Sequence, residues 1–129
     1  METAFLVGRI IFGGYFIMSG VNHFMKLDMM AGYAGSKGVP QAKFAVASTG
    51  VLLVLGGLGV VLGVLIHASL LALAIFIVGV TPMMHQFWKI TDPMQKMGEQ
   101  INFMKNAALF GAVLMLYMIA LPWPLSIAF

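Results

Sequence analysis

The 129-residue chain is 61% hydrophobic and 9% charged, with a mean hydropathy of +1.01 and a formal net charge of +3. A soluble domain carries about 25% charged residues because most of its surface faces water, so a soluble fold is excluded. The absence of cysteine excludes disulfides, thiol redox chemistry and Cys-ligated metals, and lysines that flank apolar segments without forming a run exclude a nucleic-acid surface.

From Phe44 to Trp88 there is no Asp, Glu, Lys or Arg. As one helix that stretch would be roughly 67 Å long, about twice the hydrocarbon core, so it must fold back on itself. The expected fold class is all-α: an integral membrane four-helix bundle in a single domain, 1–129. A short interfacial helix is expected between spans one and two.

The first span is expected over about 3–21, interrupted only by Arg9. Met1-Glu2-Thr3 carries an acid and no A-x-A-like site follows, so the segment reads as a retained span and not a cleaved signal. The polar segment Asn22 to Lys43 comes next, and 28–34 within it suits a helix lying in the interface. Asp28 is the expected N-cap of that helix, Gly38 its stop, and Pro40 the first-turn proline of the next span.

Spans two and three are expected over 42–62 and 69–84, joined by a tight turn whose polar group is His67. Gly59 and Gly63 form a small-xxx-small pattern that suits close helix packing, within the bundle or at a dimer face, and a homo-oligomer stays open. Thr91-Asp92-Pro93-Met94-Gln95 is a helix start, with a capping acid, proline in first place and Gln three residues after the cap. That helix is expected to continue into span four, 103–121, and to end at Pro122 and Pro124.

Lys26, Lys37, Lys43, Lys89, Lys96 and Lys105 belong to two loops and their flanks, whereas Arg9 stands alone on the other side. The positive-inside bias then places those loops in the cytoplasm and both termini outside. At the outer side, Arg9 is too deep to be left unpartnered, and residues of matching depth are Tyr117, His67 and Ser69, with Glu2 two turns above. A polar cluster of Arg9, His67 and Tyr117 is expected there, with snorkelling to the headgroups as the alternative.

The inner side gathers a second group of polar residues. Span one delivers Ser19, Asn22 and His23, span three delivers His85 and Trp88, and span four delivers Asn102, Lys105 and Asn106. Polar residues at such depth mark a ligand site, interhelical bonding or headgroup anchoring, and His23, His85, Trp88, Asn102, Lys105 and Asn106 are the ligand-binding candidates. Met83-Met84-His85 and Met94-x-x-Met97 invite a copper reading, but Met also fills irregular apolar gaps, and no metal site is expected. No G-x-S-x-G, Walker A or G-x-G-x-x-G motif occurs, so no catalytic machinery is visible and catalytic residues stay unknown.

Arg9-Ile10-Ile11-Phe12-Gly13 and Ser19-Gly20-Val21-Asn22-His23-Phe24 resemble the opening of the DoxX family. Gly38-Val39-Pro40 fits, as do His85 to Pro93 and Asn102-Phe103-Met104-Lys105-Asn106, so the resemblance covers nearly the whole sequence. It implies a small four-helix protein of the bacterial cytoplasmic membrane, related to subunits of quinone-linked oxidoreductases whose catalytic parts sit on other chains. Two functions follow as expectations. One is a non-catalytic subunit or scaffold of a redox-linked membrane complex, with a protein partner and no cofactor of its own. The other is an oxidoreductase subunit that binds a quinone or other lipid-soluble ligand at the inner cluster; haem or chlorin on His23 or His85 is the weaker alternative.

Overall fold

In the computed structural model, which describes residues 1–127, five α-helices follow one another. The last two residues of the expected 1–129 domain lie outside the described part. Helix α1 is Glu2–Met25, α2 Leu27–Ser36, α3 Ala42–Leu62, α4 Ile66–Met84 and α5 Pro93–Tyr117, with a single 3-10 turn at Phe87–Lys89. Among the described residues there is no strand.

Helix α1 runs one turn further than expected, and Lys26 then breaks it from α2. Lys26, not Asp28, is the N-cap of α2; Asp28 sits in the first turn and pairs with Lys43 at 3.4 Å, both side chains exposed. Such an exposed pair contributes little. Gly38, at φ 89°, closes α2 as Val39 N–H donates to the Ala34 carbonyl at 3.1 Å. Pro40 is not in the first turn of α3, because Gln41 in the left-handed region precedes that helix.

Helix α4 begins at Ile66 instead of 69, which makes His67 helical. At the start of α5, Asp92 accepts a hydrogen bond from Gln95 N–H at 3.0 Å and Pro93 fills the first position. The helix then runs unbroken to Tyr117, short of the expected 121. Beyond it the backbone leaves the helix so that Trp123 buries against Phe5, with ring centroids 5.2 Å apart. A residue before proline is also biased away from helix, which suits a stop ahead of Pro122.

Three segments are long and apolar enough to cross a membrane: Glu2–Met25, Ala42–Leu62 and Ile66–Lys89. Helix α5 completes the bundle, but Lys96, Glu99 and Lys105 occupy its first half, so only its second half is free of charge. Helix α3 packs against both α1 and α4, α5 packs along α4, and α2 folds back onto α3. Phe16, Leu53, Val60, Leu70, Leu73, Ile77 and Val113 fill the shared core, joined by Trp123 at one end.

Glycine decides how closely α1 and α3 approach. The helices run antiparallel, with Gly13 against Gly57 and Gly20 against Gly50. A Cβ on Gly57 would fall 2.6 Å from the Gly13 carbonyl oxygen, and one on Gly20 would fall 2.8 Å from that of Gly50. Such backbone approach is what binds helices where lipid removes the hydrophobic drive between them. The Gly59–Gly63 pair, expected to be one seam, divides instead: Gly59 accommodates Ser69 of α4, while Gly63 takes φ 73° and turns the backbone.

Candidate functional site

At the end of the bundle expected to face outward, Arg9 is only 2% exposed, yet its partners are not Tyr117 and His67. Its hydrogen bonds all go to backbone carbonyls. Nε donates to Val60 at 3.1 Å, Nη2 to Val61 at 2.8 Å, and the guanidinium also reaches Pro124 and Leu125. A helix leaves its last four carbonyls without partners. In α3 the Gly59 oxygen accepts from Gly63 and Val64, Arg9 takes Val60 and Val61, and the Leu62 oxygen accepts from Ile127 N–H at 3.0 Å. Arg9 of α1 therefore caps the C-terminus of α3, where the helix dipole also favours a cation.

His67 and Tyr117 stack on each other, ring centroids 4.2 Å apart. Glu2 is exposed and makes no ion pair among the described residues. The expected outer cluster thus separates into a structural cap and a stacked pair. Ser69 was grouped with them by depth, but its hydroxyl turns to the Val64 carbonyl.

The opposite end holds a chamber of about 680 Å³. Helix α2 forms one wall with Met29, Met30 and Tyr33; α3 and α4 form others, with Val46 and Phe76 among their residues. His23 and His85 both line it. The chamber exists because Lys26 lets α2 turn back over α3 instead of extending α1. A cavity this size matches those that hold small-molecule ligands, and its lining is apolar with few polar groups, as such sites require.

Both histidines turn Nδ1 toward an acceptor. His23 Nδ1 is 2.7 Å from the Ser19 carbonyl oxygen, which can only accept, so Nδ1 carries the proton. His85 Nδ1 lies 3.1 Å from Glu99 Oε2, and the carboxylate likewise accepts. In each neutral imidazole Nε2 is then the nitrogen left for a ligand, as an acceptor, or as a donor once the ring is protonated.

The other inner candidates do not line this chamber. Asn102 donates to Glu99 Oε1 at 3.3 Å and so steadies the carboxylate behind His85. Asn106, buried, donates to Thr81 Oγ1 at 3.0 Å and ties α5 to α4. Lys105 donates to the Tyr15 hydroxyl at 2.8 Å, and Trp88 is exposed and packs edge-on against Phe103. Asn22, also grouped here by depth, is exposed. Glu99, Thr81, Tyr15 and the α2 wall are the participants that sequence reasoning passed over. A signal was present for Thr81, a hydroxyl residue in an otherwise apolar span at the depth of Asn106.

No three His, Asp or Glu side chains gather as a metal site among the described residues. A family model described as DoxX matches residues 4–86, from the first turn of α1 through the end of α4. The chain belongs to the DoxX family. The match ends two residues past α4, so the likeness suggested for Phe87 onward and for Asn102 to Asn106 lies outside it. In this DoxX-family protein the matched part holds Arg9, both histidines and every wall of the chamber, whereas Glu99 and the rest of α5 fall beyond it. No curated protein and no solved structure matches the sequence.

Proposed function

We propose that this DoxX-family protein is a non-catalytic subunit of a redox-linked membrane complex, and that it holds a lipid-soluble ligand of the quinone kind in the chamber under α2. The observation that carries the reading is the chamber itself: an apolar space of about 680 Å³ with His23 and His85 among its few polar groups. A quinol hydroxyl donates to the free Nε2 of a neutral imidazole anchored through Nδ1, and a quinone carbonyl, which only accepts, is met by Nε2–H of the protonated ring. Glu99, itself held by Asn102, fixes the His85 ring through Nδ1, so the ligand meets a preset group. The redox chemistry belongs to partner chains.

A short-tailed quinone titrated into the purified protein is expected to bind. His85→Ala is expected to weaken it roughly ten- to a hundredfold, the effect of about 1–3 kcal/mol from one lost hydrogen bond. Gly79 lines the chamber with nothing within 4 Å of its Cβ position, so Gly79→Leu is expected to fill space there and block binding without loss of fold. Wild type that binds no quinone, or that matches His85→Ala in titration, would leave the scaffold role alone standing.

On this reading the chamber faces the cytoplasmic side of the bacterial inner membrane. Lys26, Lys37, Lys43, Lys89 and Lys96 belong to the connections at the His23 end, which the positive-inside bias assigns to the cytoplasm. A reporter fused to the C-terminus is expected to be active outside the cytoplasm. Cytoplasmic activity would reverse the orientation.

A further inference from the structure

The walls of the chamber do not all close on one another. Among the described residues α2 packs against α3 and touches α1 but does not pack against α4, although α2 and α4 both line the space. Helix α3 supplies the floor, and its lining residues Ala45, Val46, Thr49 and Leu52 are buried or half-buried. The exposed lining residues all belong to the other two helices. Met29 and Tyr33 stand one turn apart on α2, and Ile75, Gly79 and Met83 follow at the same spacing on α4, so each set forms a row along one helix face. The two rows are the lips of a slot. Gly79, with nothing within 4 Å of its Cβ position, leaves the middle of the α4 lip without a side chain.

The slot opens on hydrocarbon. Helix α4 lies in a segment long and apolar enough to cross a membrane, and Ile75 is the middle residue of Ile66–Met84. Leu52 on the floor is likewise the middle residue of α3, Ala42–Leu62. From that depth to His85 the α4 lip rises about 15 Å, roughly half the hydrocarbon core. The polar groups gather at its far end: His23 is in the last turn of α1, and His85 is the C-cap of α4. Thr49 adds no free donor, because its hydroxyl is turned to the Ala45 and Val46 carbonyls of its own helix. Polar at the membrane edge and apolar at its middle is the polarity order of a lipid leaflet.

We propose that the chamber loads sideways from the bilayer through the slot between α2 and α4, and that its ligand is an amphiphile with a compact hydrogen-bonding head and a long apolar tail. The inference rests on the reading of the chamber as a ligand site. The head meets the histidines at the membrane edge, while the tail runs toward the level of Leu52 and Ile75 and leaves between the lips into lipid. A volume of about 680 Å³ suits a drug-sized head with the start of a tail, and the slot removes the need to enclose the rest. Lipid chains are as apolar as the lining, so moving the tail from bilayer to chamber contributes little. Selection therefore falls to the head, through the bonds it makes with the imidazoles.

Two photoreactive decylbenzoquinones test this, one with a diazirine on the ring and one with it at the end of the decyl tail. The full chain in nanodiscs of saturated phosphatidylcholine is irradiated with each, with and without excess unlabelled decylbenzoquinone, and labelled peptides are mapped by mass spectrometry. Labelling lost on competition marks the site, whereas labelling that persists marks general lipid contact. The ring probe is expected on His23, His85 or their immediate neighbours. The tail probe is expected on the lips, at Met29 and Tyr33 of α2 and at Ile75 and Met83 of α4, with both signals lost on competition. Competable ring labelling accompanied by tail labelling on 87–92 or α5, or by tail labelling that persists under competition, would overturn the slot and leave the chamber reading standing. Absence of competable labelling by either probe would overturn both.

Discussion

Gly57→Leu is expected to prevent α1 and α3 from closing, and the protein should extract from membranes as a loosened species that unfolds at low SDS fraction. Even a single added carbon at Gly57 would sit 2.6 Å from the Gly13 carbonyl oxygen and 2.8 Å from Ile17 Cγ1. The carbonyl is backbone and cannot swing aside, so the helices must separate along the whole Gly13–Gly57 to Gly20–Gly50 seam. Overpacking of this kind costs about 1–3 kcal/mol for a small increment, and a leucine goes well beyond one. Gly14→Ala is the matched control, since its Cβ meets nothing within 4 Å. It should be neutral or stabilise by about 0.5–1 kcal/mol through helix propensity. Equal destabilisation by both would show that helix flexibility, not close approach, is what the glycines provide.

Arg9→Leu is the second substitution with a large expected effect. It leaves the Val60 and Val61 carbonyls without partners at the buried end of α3 and frees Pro124 and Leu125. Two unsatisfied carbonyls cost about 2–6 kcal/mol together, at about 1–3 each. Arg9→Lys should fall between, because an ammonium lacks the planar fork that spans two carbonyls and the C-terminal segment at once. Loss of the anchor should also release Trp123, which is 2% exposed and lies 5.7 Å from the Arg9 guanidinium carbon. In a Trp88→Phe background, Arg9→Leu should therefore shift the remaining tryptophan emission to the red. Tyr117→Phe should add its own effect independently, since Tyr117 stacks on His67 and receives no hydrogen bond from Arg9. A strong non-additivity would restore the Arg9–Tyr117 pairing.

The two substitutions differ in what they do to the chamber. Gly20 and Gly50 sit beside His23, whose Cβ lies 2.9 Å from the Cβ position of Gly50. Spreading α1 from α3 would shift the His23 wall relative to Val46 and Thr49. Glycine packing and ligand binding are thus mechanically linked at that end. At the other end Arg9 holds the cap of α3 and the C-terminal segment, away from the chamber, so its loss should leave quinone titration unaltered while the protein stays folded.

Composition by itself determined that this is a multi-pass helical membrane protein, because the absence of charge over Phe44–Trp88 is a property of the sequence alone. Local chemistry determined the start of α5, where Asp92 and Pro93 need only their own neighbours to cap a helix. Depth was legible too, since each helical residue advances about 1.5 Å and small counting errors stay small. Direction was not. Each residue also turns the side-chain vector by about 100°, so residues at one depth point anywhere around the axis until packing sets the rotation. The glycine seam set it for α1 and α3, and so sent Arg9 to carbonyls at the end of α3 and His23 to the chamber. Packing of α5 on α4 turned Asn106 to Thr81 and Lys105 away to Tyr15. Shared depth brought the candidates near one another; tertiary packing decided which of them meet.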